Sequence, residues 1–245
     1  MNRLYQCAAI AALLAGVAPL AAQAQQTVPL GNSGLYVGVD VGAIVPQSVH
    51  LSVNGSAFGE TVAASGNLHF DTGVASGVVV GYHVMPTLAV EGNFEYAGFD
   101  IHSVSGTIAL TGPVAGTVSG TIGLQGRVNS YNGLVNAIWT PLGPDARYGI
   151  APYIGAGIGF SHVNETLTAA TIAGTTITGN VGDDQTDFAA NAIVGADFPL
   201  PMMPQLTLGV RYRLLFVNSS SSSTGPLSVG NFFGHVFTAN ATWHF

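Results

Sequence analysis

Lysine is absent from this chain of 245 residues, and five arginines stand against twelve acidic residues, which gives a formal net charge of −7. A chain without a basic patch lacks the electrostatic footprint of a nucleic-acid-binding protein, so we expect no nucleic-acid partner. Charged residues make up only 7% of the sequence, whereas a typical soluble domain carries about 25%. So few charges leave little to keep a water-exposed surface dispersed, which argues against an ordinary soluble protein.

Cysteine occurs once, as Cys7, inside an N-terminal segment that has the pattern of an export signal. This segment carries Arg3, then the apolar run CAAIAALLAGVAPLAA, and then AQA, in which Ala22 and Ala24 are the small residues of a cleavage site. We predict cleavage after Ala24, which removes residues 1–24 as a signal peptide and leaves residues 25–245 as one mature domain. Because Cys7 is removed as well, the mature chain can form neither a disulfide nor a thiolate metal site.

Long apolar runs are missing from the mature chain. Hydrophobic residues make up 48% of the sequence, yet no run of about 18 apolar residues follows the signal, so a membrane-spanning helix is not expected. An apolar chain that contains 33 glycines and no helical span can cross a membrane only with β-strands.

Eight stretches of alternating apolar and small or polar residues fit this requirement. They lie at residues 35–45, 74–84, 88–97, 128–139, 150–162, 187–198, 205–217 and 233–245, and each is close to the length of about 9–11 residues with which a tilted strand crosses a bilayer. In the first stretch Val37, Val39 and Val41 share one face, while Asp40 lies on the other. The apolar face suits lipid and the small, polar face suits a narrow interior, so we predict a closed antiparallel barrel of eight strands.

The breaks between the stretches alternate in length. Short, proline-marked turns lie at 85–87, 140–149 and 199–204, and long loops lie at 46–73, 98–127, 163–186 and 218–232. Short periplasmic turns and long extracellular loops are the layout of outer-membrane barrels, so both chain ends are expected on the periplasmic side. Because the alternation continues inside the loops, as in SGTIALTG (105–112) and SGTIGLQG (119–126), we expect some strands to extend as hairpins beyond the membrane.

Several of these stretches resemble a known family. LYVGVDVGAIV (35–45), GVVVGYHVMPTLAVEGNFEY (77–96), APYIGAGIGF (151–160), NAIVGADFPL (191–200), LTLGVRYRLL (206–215) and the terminal Phe245 are similar to the eight-stranded outer-membrane barrels of the OmpA-like and opacity-type surface proteins, often called the porin family. The resemblance implies a location in the outer membrane of a Gram-negative bacterium. It also implies insertion by the barrel assembly machinery, which reads the last strand, here with Phe237, Trp243 and Phe245. It does not imply one activity, because this fold carries anchors, adhesins, small pores and lipid enzymes.

Charged residues collect on the face that is predicted to point inward. They are Asp40, Glu91, Glu95, Asp197, Arg211 and Arg213. An interior of this size is just wide enough for side chains to fill, and charges there must pair or meet water. We favour an ion-pair network that plugs the barrel; the alternative is a narrow, gated path for ions.

The seven histidines, at positions 50, 69, 83, 102, 162, 235 and 244, show no tight metal-ligand spacing. His50 and His102 each precede a serine closely, but both lie in loops, and we identify no catalytic residue, metal site or cofactor. The expected function is therefore structural and interactive: the loops would bind host, matrix or neighbouring-cell ligands, and the barrel would contact membrane lipid and lipopolysaccharide. A small porin-like channel is the second hypothesis, and a lipid-modifying barrel enzyme is the third.

Overall fold

The computed structural model describes residues 34–57, 60–111, 116–142, 149–172, 175–218 and 227–245. The predicted signal peptide, with Ala22 and Ala24, lies outside these residues, as does the serine run at 219–223. The described residues form eleven β-strands: β1 (Leu35–Pro46), β2 (Val49–Ala57), β3 (Glu60–Phe70), β4 (Gly73–Met85), β5 (Leu88–Thr111), β6 (Gly116–Trp139), β7 (Ala151–Ile172), β8 (Thr175–Leu200), β9 (Met203–Val217), β10 (Leu227–Val229) and β11 (Phe232–His244). In this described part of the chain, no helix has the length and apolar character needed to span a membrane.

Eight of the strands close into a ring. Every neighbouring pair is antiparallel, in the order β1, β4, β5, β6, β7, β8, β9 and β11, and β11 pairs back onto β1. These are the eight predicted stretches, so the prediction of a closed eight-stranded barrel is confirmed. Closure leaves no unpaired strand edge in the ring, which is what a bilayer without hydrogen-bonding solvent requires.

The two faces of the barrel wall follow the sequence alternation. Val41 is 66% exposed and Ile158 is 62% exposed on the outside of the barrel, the face that is predicted to meet lipid. On the inside, Asp40 is 4% exposed and Glu95 is fully buried. Successive side chains of a strand point to opposite faces, so each strand of the ring contributes one row to the lipid face and one row to the interior.

Four strands are longer than the membrane requires, and they continue as a sheet beyond the ring. β5, β6, β7 and β8 have 24, 24, 22 and 26 residues, and the β2–β3 hairpin joins this extension through β3 and β5. The resulting sheet has the order β10, β2, β3, β5, β6, β7, β8. The expectation of hairpins that extend from the barrel is therefore confirmed, and residues 46–73, predicted as a long loop, contain a hairpin of their own.

A row of β-bulges marks the base of this extension. The register shifts between Ile101 and Ser103 on β5, between Gln125 and Gly126 on β6, and between Leu167 and Ala169 on β7. Bulges re-aim side chains and are common at barrel rims. We call the sheet beyond these bulges the extracellular wall: β2, β3, β10 and residues 103–111, 116–125, 169–172 and 175–178.

Candidate functional site

Two ion pairs cross the inside of the barrel at mid-height. Arg211 and Arg213 alternate with Tyr212 on β9, and Glu91 and Glu95 lie on β5, so the pleat turns all four charged side chains inward. Arg211 Nη1 donates to Glu91 Oε2 at 3.2 Å, and its Nη2 donates to Glu91 Oε1 at 3.1 Å. This two-pronged contact is the strongest geometry available to a guanidinium and a carboxylate.

The second pair is joined to the first by a shared carboxylate. Arg213 Nη1 donates to Glu95, and its Nη2 lies 3.5 Å from Asp40 Oδ2. The same Asp40 oxygen is 3.8 Å from Arg211 Nη1. Asp40, Glu91, Glu95, Arg211 and Arg213 therefore form one cluster, which we call the ion-pair cluster.

Asp197 lies on the same inner face but outside the ion-pair cluster. Its Oδ1 accepts a hydrogen bond from Asn240 Nδ2 at 3.2 Å, and among the described residues no arginine lies within ion-pair distance of it. Five of the six charged residues singled out from the sequence are thus brought together, and Asp197 is placed beside them with an amide partner.

Two tyrosines that the sequence reasoning did not connect with the charges hold the Arg211–Glu91 pair. Tyr36 donates its hydroxyl to Glu91 Oε1 at 2.9 Å, and Arg211 Nε donates to the Tyr153 hydroxyl at 3.0 Å. The Arg211 guanidinium also lies 5.4 Å from the centre of the Tyr153 ring. Tyr36 could have been found, because it lies on the face that carries Asp40, but the pairing depends on closure of the ring.

An apolar layer fills the interior between the ion-pair cluster and the extracellular wall. Its buried members are Ile44, Ala75, Ala97, Phe99, Ile101, Val128, Leu134, Ala189, Leu215, Val217 and Val236. Phe99 stacks on Phe232 with ring centres 5.6 Å apart, and Phe70 meets both rings edge-on. This layer lies on the side of the long loops.

A cavity opens on the opposite side, at the end of the short turns. Its volume is about 380 Å³, and its floor is the Arg211–Glu91 pair. Tyr36, Tyr153, Asp197, His83 and His244 line it together with small and apolar residues from the strand ends. Because short turns face the periplasm in barrels of this layout, we call it the periplasmic cavity.

The remaining histidines lie at the wall end of the barrel and bond to neutral or acidic neighbours. His69 Nδ1 is 2.9 Å from Ser48 Oγ, and its Nε2 is 2.9 Å from Ser105 Oγ. His102 lies 3.5 Å from the Asp71 carboxylate. Within the described residues, no three His, Cys, Asp or Glu side chains come together as a metal site would need.

The aromatic residues predicted to serve as an assembly signal lie on the lipid face of the last strand. Phe237, Trp243 and Phe245 are 53%, 36% and 50% exposed. Their alternation with the buried Thr238 and Thr242 shows that they share one row along the outside of β11 and its end.

Comparison with known proteins places this geometry in a family. Residues 9–245 match the family model described as outer membrane protein beta-barrel domain. A protein named outer membrane protein from Gluconacetobacter diazotrophicus is 28% identical over 131 residues, which is 49% of this chain and 33% of that relative. The chain thus aligns with about a third of that curated relative.

Solved structures with similar folds include Neisserial surface protein A, at 17% identity and a TM-score of 0.46, covering 87% of this chain and 98% of that one. They also include the outer membrane protease OmpT from Escherichia coli, at 7% identity and a TM-score of 0.46, with 90% of this chain and 99% of that chain covered. The family match extends over the whole described barrel. The chain belongs to the outer membrane protein β-barrel family and is a protein of the Gram-negative outer membrane.

Proposed function

We propose that the barrel anchors the extracellular wall as a surface that binds molecules outside the cell, and that its role is binding and not catalysis. The observation that carries the proposal is the length of β5–β8, which have 22–26 residues each, about twice the 9–11 that cross a bilayer. About half or more of each strand is therefore available for a structure outside the membrane. A plain anchor would need only short loops there.

The outer face of the wall indicates how it would bind. Leu68 packs against the apolar layer inside the barrel, so its neighbours Asn67 and His69 point to the opposite, outer face. Asn67 pairs in register with His50 on one side and with Ser105 on the other. This face presents hydroxyl, amide and imidazole groups, which donate and accept hydrogen bonds without a fixed charge.

Such a face suits a partner that is itself rich in hydroxyl groups. We propose a polysaccharide of a host, matrix or neighbouring cell, or the sugar part of lipopolysaccharide. We also propose that lipid and the barrel assembly machinery contact the outward aromatic row of Phe237, Trp243 and Phe245, because a hydrophobic row with terminal aromatics suits the membrane interface.

The test is adhesion of cells that display the protein. A variant that lacks residues 104–122 shortens the β5–β6 hairpin at a paired position, Ser103 with Gly123, and leaves the ring strands intact. Cells with the full protein should bind an immobilised polysaccharide panel, and cells with the shortened variant should lose most of that binding. Proteinase K should cut the wall of the full protein on intact cells. Equal binding by both forms, or a wall that resists shaving because it is not outside, would contradict the proposal.

The second candidate, a narrow path for ions or small solutes, is favoured by the amide groups beside the ion-pair cluster. Asn93, Asn136 and Asn191 are buried, and neither side-chain polar atom of any of them has a hydrogen-bond partner in the described chain. Amides of this kind are commonly satisfied by water. Conductance in planar bilayers tests this second candidate. A plugged barrel gives no discrete steps, whereas steps that change in Glu91→Gln would establish the lumen as a path.

A further inference from the structure

We propose that the periplasmic cavity binds a small organic ammonium ion. This site is separate from the extracellular wall and does not depend on the function proposed for it. The cavity volume of about 380 Å³ is within the range of roughly 300–1,000 Å³ that is usual for small-molecule sites. Its lining also has the usual composition, with apolar and aromatic walls and a few convergent polar groups.

The charges around the cavity favour a cation. In their ionised forms, the three carboxylates and two guanidiniums of the ion-pair cluster leave one negative charge uncompensated. Asp197, which lines the cavity and has only Asn240 as a hydrogen-bond partner in the described chain, adds another. Buried and half-buried carboxylates are stabilised by an opposite charge within a few ångströms, and a cation in the cavity would supply it.

Arg211 also lines the cavity, but it does not oppose this binding. Its Nη1 and Nη2 both donate hydrogen bonds to the Glu91 carboxylate, and its Nε donates to the Tyr153 hydroxyl. The pair therefore presents no net charge to the cavity. Asp197 therefore supplies the charge that selects the ligand, and its carboxylate would repel an anion.

The aromatic lining favours an organic cation over a bare metal ion. The Tyr36 ring lies 5.0 Å from the His83 ring and 5.4 Å from the His244 ring, centre to centre, and Tyr153 lines the cavity with them. Aromatic faces attract ammonium groups, and apolar residues such as Ile138 and Leu200 in the lining accommodate the attached carbon chain. The side chains here do not form a set of three metal ligands within the described residues.

The experiment is calorimetric titration of the refolded mature protein in non-ionic detergent, with n-butylammonium chloride as the probe and n-butanol as the uncharged match. We expect heat of binding for the ammonium ion alone. Asp197→Asn should weaken binding at least about tenfold, because a hydrogen bond to a charged group is lost. The matched control is Asp71→Asn, on the exposed wall side and paired with His102, which should bind as the wild type does.

A second readout needs no variant and so does not depend on the folding of Asp197→Asn. The methyl resonances of Ile138, which lines the cavity, should shift with added n-butylammonium, whereas those of Ile154, 51% exposed on the lipid face, should not. Equal binding of n-butanol would overturn the proposal, as would unchanged affinity in a folded Asp197→Asn variant. Shifts at Ile154 without shifts at Ile138 would show that the ion partitions into detergent and would also overturn it.

Discussion

Arg211 and Glu91 are 120 residues apart in sequence and meet through two hydrogen bonds of 3.1 and 3.2 Å. Their strands, β9 and β5, are separated by four steps round the ring in either direction, so the pair spans the barrel from one wall to the wall directly opposite. The contact ties together walls that share no backbone hydrogen bonds. We therefore expect it to link the barrel's stability to its interior, which would give the charged residues a structural role.

Removal of Arg211 should destabilise the barrel strongly. Glu91 is only 2% exposed, so Arg211→Ala leaves a buried carboxylate without its guanidinium partner, and breaking a buried pair on one side costs about 3–5 kcal/mol. The urea midpoint of unfolding, followed by the mobility difference between folded and heated protein on a gel, should fall clearly. Wild-type heat resistance in this variant would show that the ion-pair cluster does not hold the barrel together.

Two further variants make this result specific. Arg127→Ala removes an exposed arginine from the wall end of β6, and should leave the midpoint within the range of ordinary surface changes, about 0.5 kcal/mol. Arg211→Ala combined with Glu91→Ala should lose less stability than the sum of the two single changes, because neither charge is then left alone.

Tyr36 depends on a glycine of the neighbouring strand. A side chain at Gly81 would overlap the Tyr36 ring, so Gly81→Ala should push that ring away from Glu91 and destabilise the barrel by about 1–3 kcal/mol. Gly133→Ala is the matched control, because nothing lies within 4 Å of a Cβ at that position. The urea midpoint of Gly81→Ala should be lower than that of Gly133→Ala. Equal midpoints would mean that the Tyr36 ring can shift without a loss of folding stability.

The strands of the ring were predictable because their two-residue periodicity is written into the sequence. Each lipid-facing row, such as Val37, Val39 and Val41, must be apolar, while the inner row must be small or polar. The two faces of a strand can therefore be told apart from the residue types in the sequence. The same periodicity continues into residues 105–126 and predicted the extension of β5 and β6. The β2–β3 hairpin was not foreseen, because its Ser, Gly and Ala content is as typical of a loop as of a strand.

The sequence allowed us to predict which charged residues point into the barrel, but it did not allow us to predict which of them form ion pairs with one another. Which carboxylate meets which arginine depends on the ring closure and register, which place β5 opposite β9 and β1 midway between them. Asp197 shows the limit of this reasoning. It shares the inner face with the cluster, yet its nearest hydrogen-bond partner is Asn240, and nothing in the local sequence distinguishes it from Asp40.

The apolar layer should contribute to stability independently of the charges. Leu215 is fully buried in it, so Leu215→Ala removes packing atoms and leaves a cavity, at a cost of about 2–5 kcal/mol. Its neighbour Leu214 lies on the opposite face of β9, where lipid can fill the space that a smaller side chain leaves. Leu214→Ala should therefore cost less in the same urea titration. A larger loss for Leu214→Ala would reverse the assignment of the two faces.

His69 should hold the base of the β2–β3 hairpin. Its ring bridges Ser48, in the connection between β1 and β2, to Ser105 on β5, and loss of two hydrogen bonds costs about 1–3 kcal/mol. In His69→Ala, local opening of the hairpin should become roughly 5- to 150-fold more frequent, and proteinase K should cut the wall faster by a similar factor. The barrel itself should keep its urea midpoint, because His69 lies outside the ring.

His50→Ala is the control for this prediction. His50 lies on β2 and contacts Asn67, its register partner on β3, at 3.3 Å, so its loss removes a contact between strands that the backbone already joins. Cleavage of His50→Ala should stay close to the wild-type rate. Equal acceleration in both variants would mean that any change to the polar face loosens the hairpin, whereas a change in His69→Ala alone would identify the Ser48–His69–Ser105 bridge as the element that fixes the wall to the barrel.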